Sequence, residues 1–63
     1  MPFKIKEARL ECGYTQEKLA EVSNVSRSTI IGLETGSITV TTTETLTKIA
    51  RALNKKVSDI FLD

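Results

Sequence analysis

The 63-residue chain carries nine Lys and Arg against eight Asp and Glu, a net charge of +1, and is 40% hydrophobic. This balance excludes an acidic disordered tail and a strongly basic nucleic-acid-coating peptide, and the length excludes more than one domain. A basic patch on one face stays open, because net charge carries no distribution.

The first predicted helix runs from about Phe3 to Cys12. Pro2 sits before or at its first turn, where a missing N–H does no harm. Ile5, Ala8 and Cys12 fall at i, i+3 and i+7 and form the inner face, with Arg9 beside it. Gly13 stops this helix. The second helix spans Gln16 to Ser23, with Thr15 as N-cap and Glu17 in the first turn, where the dipole favours negative charge. Leu19, Ala20 and Ser23 face inward. Asn24-Val25 is a very short turn, and Asn24 is predicted left-handed, a conformation that Asn tolerates second only to Gly. The third helix spans Arg27 to Thr35, with Ser26 as N-cap, Ile30 and Leu33 inward, and Gly36 at its end.

Ser37 to Thr43 is β-branched and alternates apolar and polar residues. A short strand and an extended connector both fit, and the length of about seven residues favours the connector. Thr41-Thr42-Thr43-Glu44 reads as a capping box, threonine with glutamate three residues on. The fourth helix is predicted to begin at Thr42 or Thr43. It places Leu46, Ile49, Ala50 and Leu53 on one face and Lys48 and Arg51 on others, and Asn54 ends it. A last turn, Val57 to Leu62, supplies Val57, Ile60 and Phe61. The expected fold is all-α: five short helices with no sheet, residues 1–63 forming one domain. A chain this short buries only about 60% of the surface its unfolded form exposes.

Several chemistries are disfavoured. Cys12 is the single cysteine, so neither an internal disulfide nor a cysteine zinc site is expected, and a small filler role fits it better than a redox switch. Histidine is absent, which removes the usual general base and the commonest metal ligand. No metal, cofactor or enzymatic activity is expected. No apolar run approaches the length of a membrane span, and Lys4 and Lys6 interrupt the start where a signal peptide needs apolar residues. A complete chain in the reducing cytoplasm, away from membranes, is expected.

Residues 15 to 35 carry the functional signal. Two helices of about eight residues joined by so short a turn must cross steeply. Ala20 is small enough for close approach, and Val25, Ile30 and Leu33 plug the gap. Thr15-Gln16-Glu17-Lys18-Leu19-Ala20, Asn24-Val25-Ser26 and Ile30-x-x-Leu33-Glu34-x-Gly36 together resemble the Cro/cI-type helix-turn-helix family. This is the lambda-repressor-like fold of phage repressors and xenobiotic-response-element regulators. The resemblance extends to Ile5-x-x-Ala8-Arg9, to Thr45-Leu46-x-Lys48-Ile49-Ala50-x-Ala52-Leu53 and to Ile60-Phe61, nearly the whole chain.

That resemblance implies roles for particular residues. The motif covers about residues 16–35, and helix 27–35 is the expected recognition helix, its N-terminal end in the major groove of double-stranded DNA. Ser26, Arg27, Ser28 and Thr29 match base-facing positions, with Gly32 one turn on. Arg27 is the best sequence reader, since a guanidinium holds guanine O6 and N7 with two bonds. Gly32 occupies a position where relatives carry a reading side chain; here its expected contribution is close approach to the groove. Thr15 and Gln16 match the phosphate-holding start of the second helix. Thr35, Ser37, Thr42 and Thr43 match a stretch along the DNA backbone. The family usually has basic residues and a proline in this loop. This chain has hydroxyls and one residue more, so weak salt dependence is expected. Arg9 and Glu34 match a structural ion pair between first and third helices. Lys4 and Lys6 are weaker phosphate candidates, and Lys55-Lys56 reads as a solvated turn.

Ile38, Val40, Phe61 and Leu62 are candidates for a two-fold homodimer contact. The expected function is a sequence-specific regulator, a repressor acting as a homodimer on a palindromic operator. The alternative is an antitoxin or anti-repressor, whose partner is a toxin or second regulatory protein and whose DNA binding is secondary or lost.

Overall fold

The computed structural model describes residues 3–61. Its helices are α1 (Ile5–Glu11), α2 (Gln16–Ser23), α3 (Arg27–Thr35), α4 (Thr43–Ala52) and α5 (Val57–Ile60). Pro2 and Leu62 lie outside the described residues. Helix α2 packs on both α3 and α4, α4 on α5, and α1 on α3. Residues 37–42 are an irregular connector, and the described residues contain no strand. None of the described helices is long and apolar enough to cross a membrane.

The helix starts follow from short polar side chains. The hydroxyls of Thr15, Ser26 and Thr42 accept from the backbone N–H of Lys18, Thr29 and Thr45, at 3.0, 3.2 and 3.1 Å. Each satisfies a donor that the helix itself leaves unpaired. The cap of α4 is therefore Thr42, not Thr41, and its third helical position is Thr45, not Glu44. Glu44 takes no part in a capping box here. The Thr42 hydroxyl also donates to Thr45 Oγ1 at 2.9 Å, a second bond that Thr41 is not placed to make.

Both ends of the chain depart from the sequence reading. Phe3 is not helical: it forms an isolated antiparallel bridge with Phe61, their ring centroids 5.6 Å apart. The Lys4 N–H donates to the Ile60 carbonyl at 2.7 Å. Helix α1 thus begins at Ile5, and α5 stops at Ile60 because Phe61 turns extended to meet Phe3. Cys12 is an exposed C-cap residue rather than an inner-face filler, its Sγ 3.6 Å from the Leu53 carbonyl oxygen. Lys55 is not simply solvated; it pairs with Glu11 at 3.3 Å, though both are exposed and such pairs contribute little.

All five helices feed one apolar centre. Ile5, Leu19, Ile30, Leu33, Ile49, Leu53 and Ile60 are fully buried. Burying each contributes about 1.5–3 kcal/mol relative to leaving it exposed. Ser23 is also buried, and its hydroxyl has no hydrogen-bond partner among the described residues.

One ion pair lies beside this core. Arg9 Nε donates to Glu34 Oε2 at 2.8 Å, and Nη2 donates to Oε1 at 3.2 Å. Arg9 Nη1 donates to the Tyr14 carbonyl at 2.8 Å. The two side chains retain only 10% and 3% exposure, so neither charge has water as an alternative partner.

Three outcomes are expected from unfolding measurements. Asn24 holds φ 60°, so Asn24→Gly should be neutral or mildly stabilising, whereas Asn24→Val should lower the melting temperature clearly. Arg9→Met and Glu34→Leu should each cost about 3–5 kcal/mol in urea titrations, and the double variant much less than their sum. At roughly 0.05–0.15 kcal/mol per residue, either single change consumes much of the stability of a chain this size. Ser23→Ala should raise the melting temperature by a few degrees, because it removes an unsatisfied buried hydroxyl and adds a better helix former.

Candidate nucleic-acid interface

Three residues between α2 and α3 make the motif. Asn24 ends α2 in the left-handed region (φ 60°, ψ 34°), and its N–H still reaches the Ala20 carbonyl. The Val25 N–H reaches the same carbonyl at 3.3 Å. Ser26 then turns extended and caps α3. The left-handed residue redirects the chain at once, so only Val25 and Ser26 separate Asn24 from α3, which packs on α2. Ala20 and Val25 are half-buried and fill the corner against the core.

This geometry places Arg27 and Ser28 on the exposed first turn of α3. Among the described residues, no ion pair or side-chain hydrogen bond engages either of them. Their neighbours are committed. The Ser26 and Thr29 hydroxyls lie 2.7 Å apart, while Ser26 also accepts from the Thr29 N–H. The first turn therefore presents one flexible cation, one free hydroxyl and the unpaired N–H groups of a helix start.

The backbone-contact candidates differ in what they have free. Thr15 accepts in its cap but keeps its proton. Gln16 is half-buried, and its Nε2 donates to Glu34 Oε1 at 3.1 Å, so one amide hydrogen is used internally and the other is available. Thr35 donates to the Ile31 carbonyl at 2.9 Å, which leaves the 3.0 Å contact with Ser37 to be donated by Ser37. Thr42 has given its proton to Thr45. Thr43, exposed at the first position of α4, is uncommitted. Thr15, Gln16 and Thr43 can donate to a phosphate at once, whereas Thr35, Ser37 and Thr42 must first break an internal bond.

Gly32 is not on this surface. It is buried, and a Cβ built there would lie 2.6 Å from Ile38 Cγ1 and in contact with Ile38 Cδ1. The glycine makes room for Ile38, not for a nucleic acid. Ile38 is correspondingly half-buried and packed against the core. Val40 and Phe61 remain exposed, at 87% and 47%; Leu62 lies outside the described residues.

Three features escape residue-by-residue reading: the Tyr14 carbonyl that orients Arg9, the amide bond from Gln16 to Glu34, and the seat of Ile38. None follows from helical periodicity or capping: the Gln16–Glu34 bond joins residues 18 apart, and the other two depend on how the chain turns just after a helix. Elsewhere, an open depression of about 330 Å³ is lined by Lys4, Glu7, Ala8, Glu11, Lys55 and Asp59, with none of the motif residues. The described residues hold no group of three or more His, Cys, Asp or Glu placed to bind a metal ion.

Comparison with known proteins agrees with this geometry. Residues 5–60 match the model of a helix-turn-helix family. The chain is 39% identical over 61 residues to the uncharacterized HTH-type transcriptional regulator YgzD of Bacillus subtilis strain 168, covering 97% of this chain and 91% of that protein. It is 42% identical over 62 residues to an uncharacterized HTH-type transcriptional regulator of Archaeoglobus fulgidus, covering 98% and 86%. A third such regulator, from Methanothermobacter thermautotrophicus, is 46% identical over 59 residues, covering 92% and 84%. The family match over residues 5–60 and these relatives, with the closely linked α2–α3 pair, make the chain a member of the Cro/cI-type helix-turn-helix family, DNA-binding transcriptional regulators rather than enzymes.

Proposed function

We propose that residues 1–63 form one operator-binding unit of a cytoplasmic repressor, acting as a homodimer on a palindromic site. The open N-terminal turn of α3 carries this reading: Arg27 and Ser28 are free, and everything around them is held. In the major groove, Arg27 reads a guanine with two bonds and Ser28 adds a less selective contact. Of Ser26 and Thr29, the hydroxyl that donates in the bond between them must break it to donate to a base, while the one that accepts keeps its proton. The free N–H groups at the start of α2, with Thr15 and Gln16, hold a phosphate, and Thr43 holds another from α4. Two-fold pairing through Val40 and Phe61 matches the commonest symmetry of such assemblies.

The thin positive charge favours one alternative, an antitoxin or anti-repressor bound mainly to a second protein. Arg27 is the single formal cation among the base- and phosphate-contact residues proposed here. Selection of duplexes from a random pool separates the two readings. Recovery of a palindrome supports the repressor, while failure to enrich any duplex, with a stable complex to the product of a neighbouring gene, supports the alternative.

On the selected palindrome, Arg27→Ala should cost about 1–3 kcal/mol and relax preference at one position in each half-site. Gln16→Ala should weaken the selected and a scrambled duplex about equally, because phosphates carry no sequence. The salt slope should be shallow, because the proposed phosphate contacts are neutral groups that release few counterions. Equal loss on both duplexes for Arg27→Ala would show that Arg27 holds backbone, leaving specificity to Ser28 or to DNA shape.

A further inference from the structure

The seat of Ile38 on Gly32 has a consequence for the loop. Residues 37–42 have no secondary structure to hold them. Among the described residues, side-chain or backbone bonds fix them at three points. Ser37 bonds Thr35 at 3.0 Å. The Ile38 N–H donates to the Gly32 carbonyl at 2.9 Å, a carbonyl that also accepts from Gly36 at 3.1 Å. Thr42 caps α4. Of these, only the middle one includes apolar packing: the Ile38 side chain lies where a Cβ on residue 32 would be.

We propose that Gly32 is a positioning residue of the DNA-facing surface: by receiving Ile38 it locks the 37–42 loop to α3, so that loop and recognition helix meet DNA as one rigid body. This rests on the reading of that surface as the DNA contact. The lock explains how a loop without basic residues contributes, since a neutral contact adds to affinity only when the group is already ordered. Ordering a free loop on binding would offset most of what its hydroxyls supply. It also explains a glycine inside a helix, where alanine is ordinarily the more stable residue.

The test compares wild type, Gly32→Ala, Ile38→Ala and the double variant by amide exchange without DNA, by thermal unfolding and by titration with the selected duplex. Gly32→Ala should speed exchange of the Ile38 amide by at least about tenfold through local opening. It should also weaken binding by about tenfold, since the loop must then be ordered on contact. Ile38→Ala introduces no clash and should lose affinity similarly, which keeps the test valid if Gly32→Ala folds poorly. In the double variant only the residue-38 Cβ, 3.3 Å from the new methyl, remains in the way. It should therefore bind better than Gly32→Ala. Base preference at the Arg27 position should persist in every variant that folds.

Each other outcome overturns the proposal in its own way. Unchanged Ile38 protection in Gly32→Ala shows that the glycine is not the lock. Faster exchange with unchanged affinity shows that the loop is outside the interface. Weaker binding with unchanged protection shows that Gly32 itself faces the DNA. If wild type binds no duplex while its Ile38 amide is protected, the DNA reading of the surface has failed and the interface role of the lock falls with it.

Discussion

The carboxylate of Glu34 is where the three helices of the motif region are tied together. It sits on α3, receives two N–H bonds from Arg9 on α1 and a third from Gln16 on α2. A buried carboxylate is costly without partners, and a buried guanidinium is no better. Each charge therefore requires the other, and α1 and α3 cannot slide relative to each other without exposing both. The Tyr14 carbonyl holds the third face of the guanidinium and fixes the α1–α2 link as well. For a chain of 63 residues, this polar joint supplies orientation that a small core would otherwise leave loose.

That joint also bears on the interface. Gln16 stands at the first position of α2 with one amide hydrogen on Glu34 and the other facing out. A phosphate held there is linked through Glu34 to the axis of α3. Under the proposed reading, phosphate contact and recognition-helix orientation would share a side chain, so that a backbone contact without sequence information could set the register for base reading.

Hydroxyl groups have two roles in this chain. Thr15, Ser26 and Thr42 close helix starts, and Thr35 closes back on its own helix. Elsewhere the same residue types are the surface. A surface built from such groups trades electrostatic reach for geometric definition. Neutral donors release no counterions and hold DNA only at short range, so their placement matters more than their number. Three caps and a helix-closing hydroxyl hold the helix ends, which is the order that short neutral contacts would require under the proposed reading.

Much of this was legible in the chain itself. Helices α2 and α3 run over Gln16–Ser23 and Arg27–Thr35, with Thr15 and Ser26 as caps, as their periodicity and capping residues predict. Asn24 is left-handed because the short link permits little else. These are local properties, decided by neighbours within one or two turns. The sequence alone misplaced the first and last elements, since Phe3 and Phe61 leave their helices for a partner at the opposite end of the chain. It put Cys12 inside, whereas Cys12 is exposed at the end of α1. It read four consecutive residues as a capping box when the better cap lay one residue later. Most of all, Gly32 read as an open space for DNA, and the tertiary structure fills that space with Ile38. Sequence determined the helices, their caps and the motif, because hydrogen bonds and side-chain periodicity act over a few residues. Only the tertiary structure decided that Gly32 is covered by Ile38, because that depends on how the irregular segment after Gly36 turns back onto α3, which no periodicity or cap dictates.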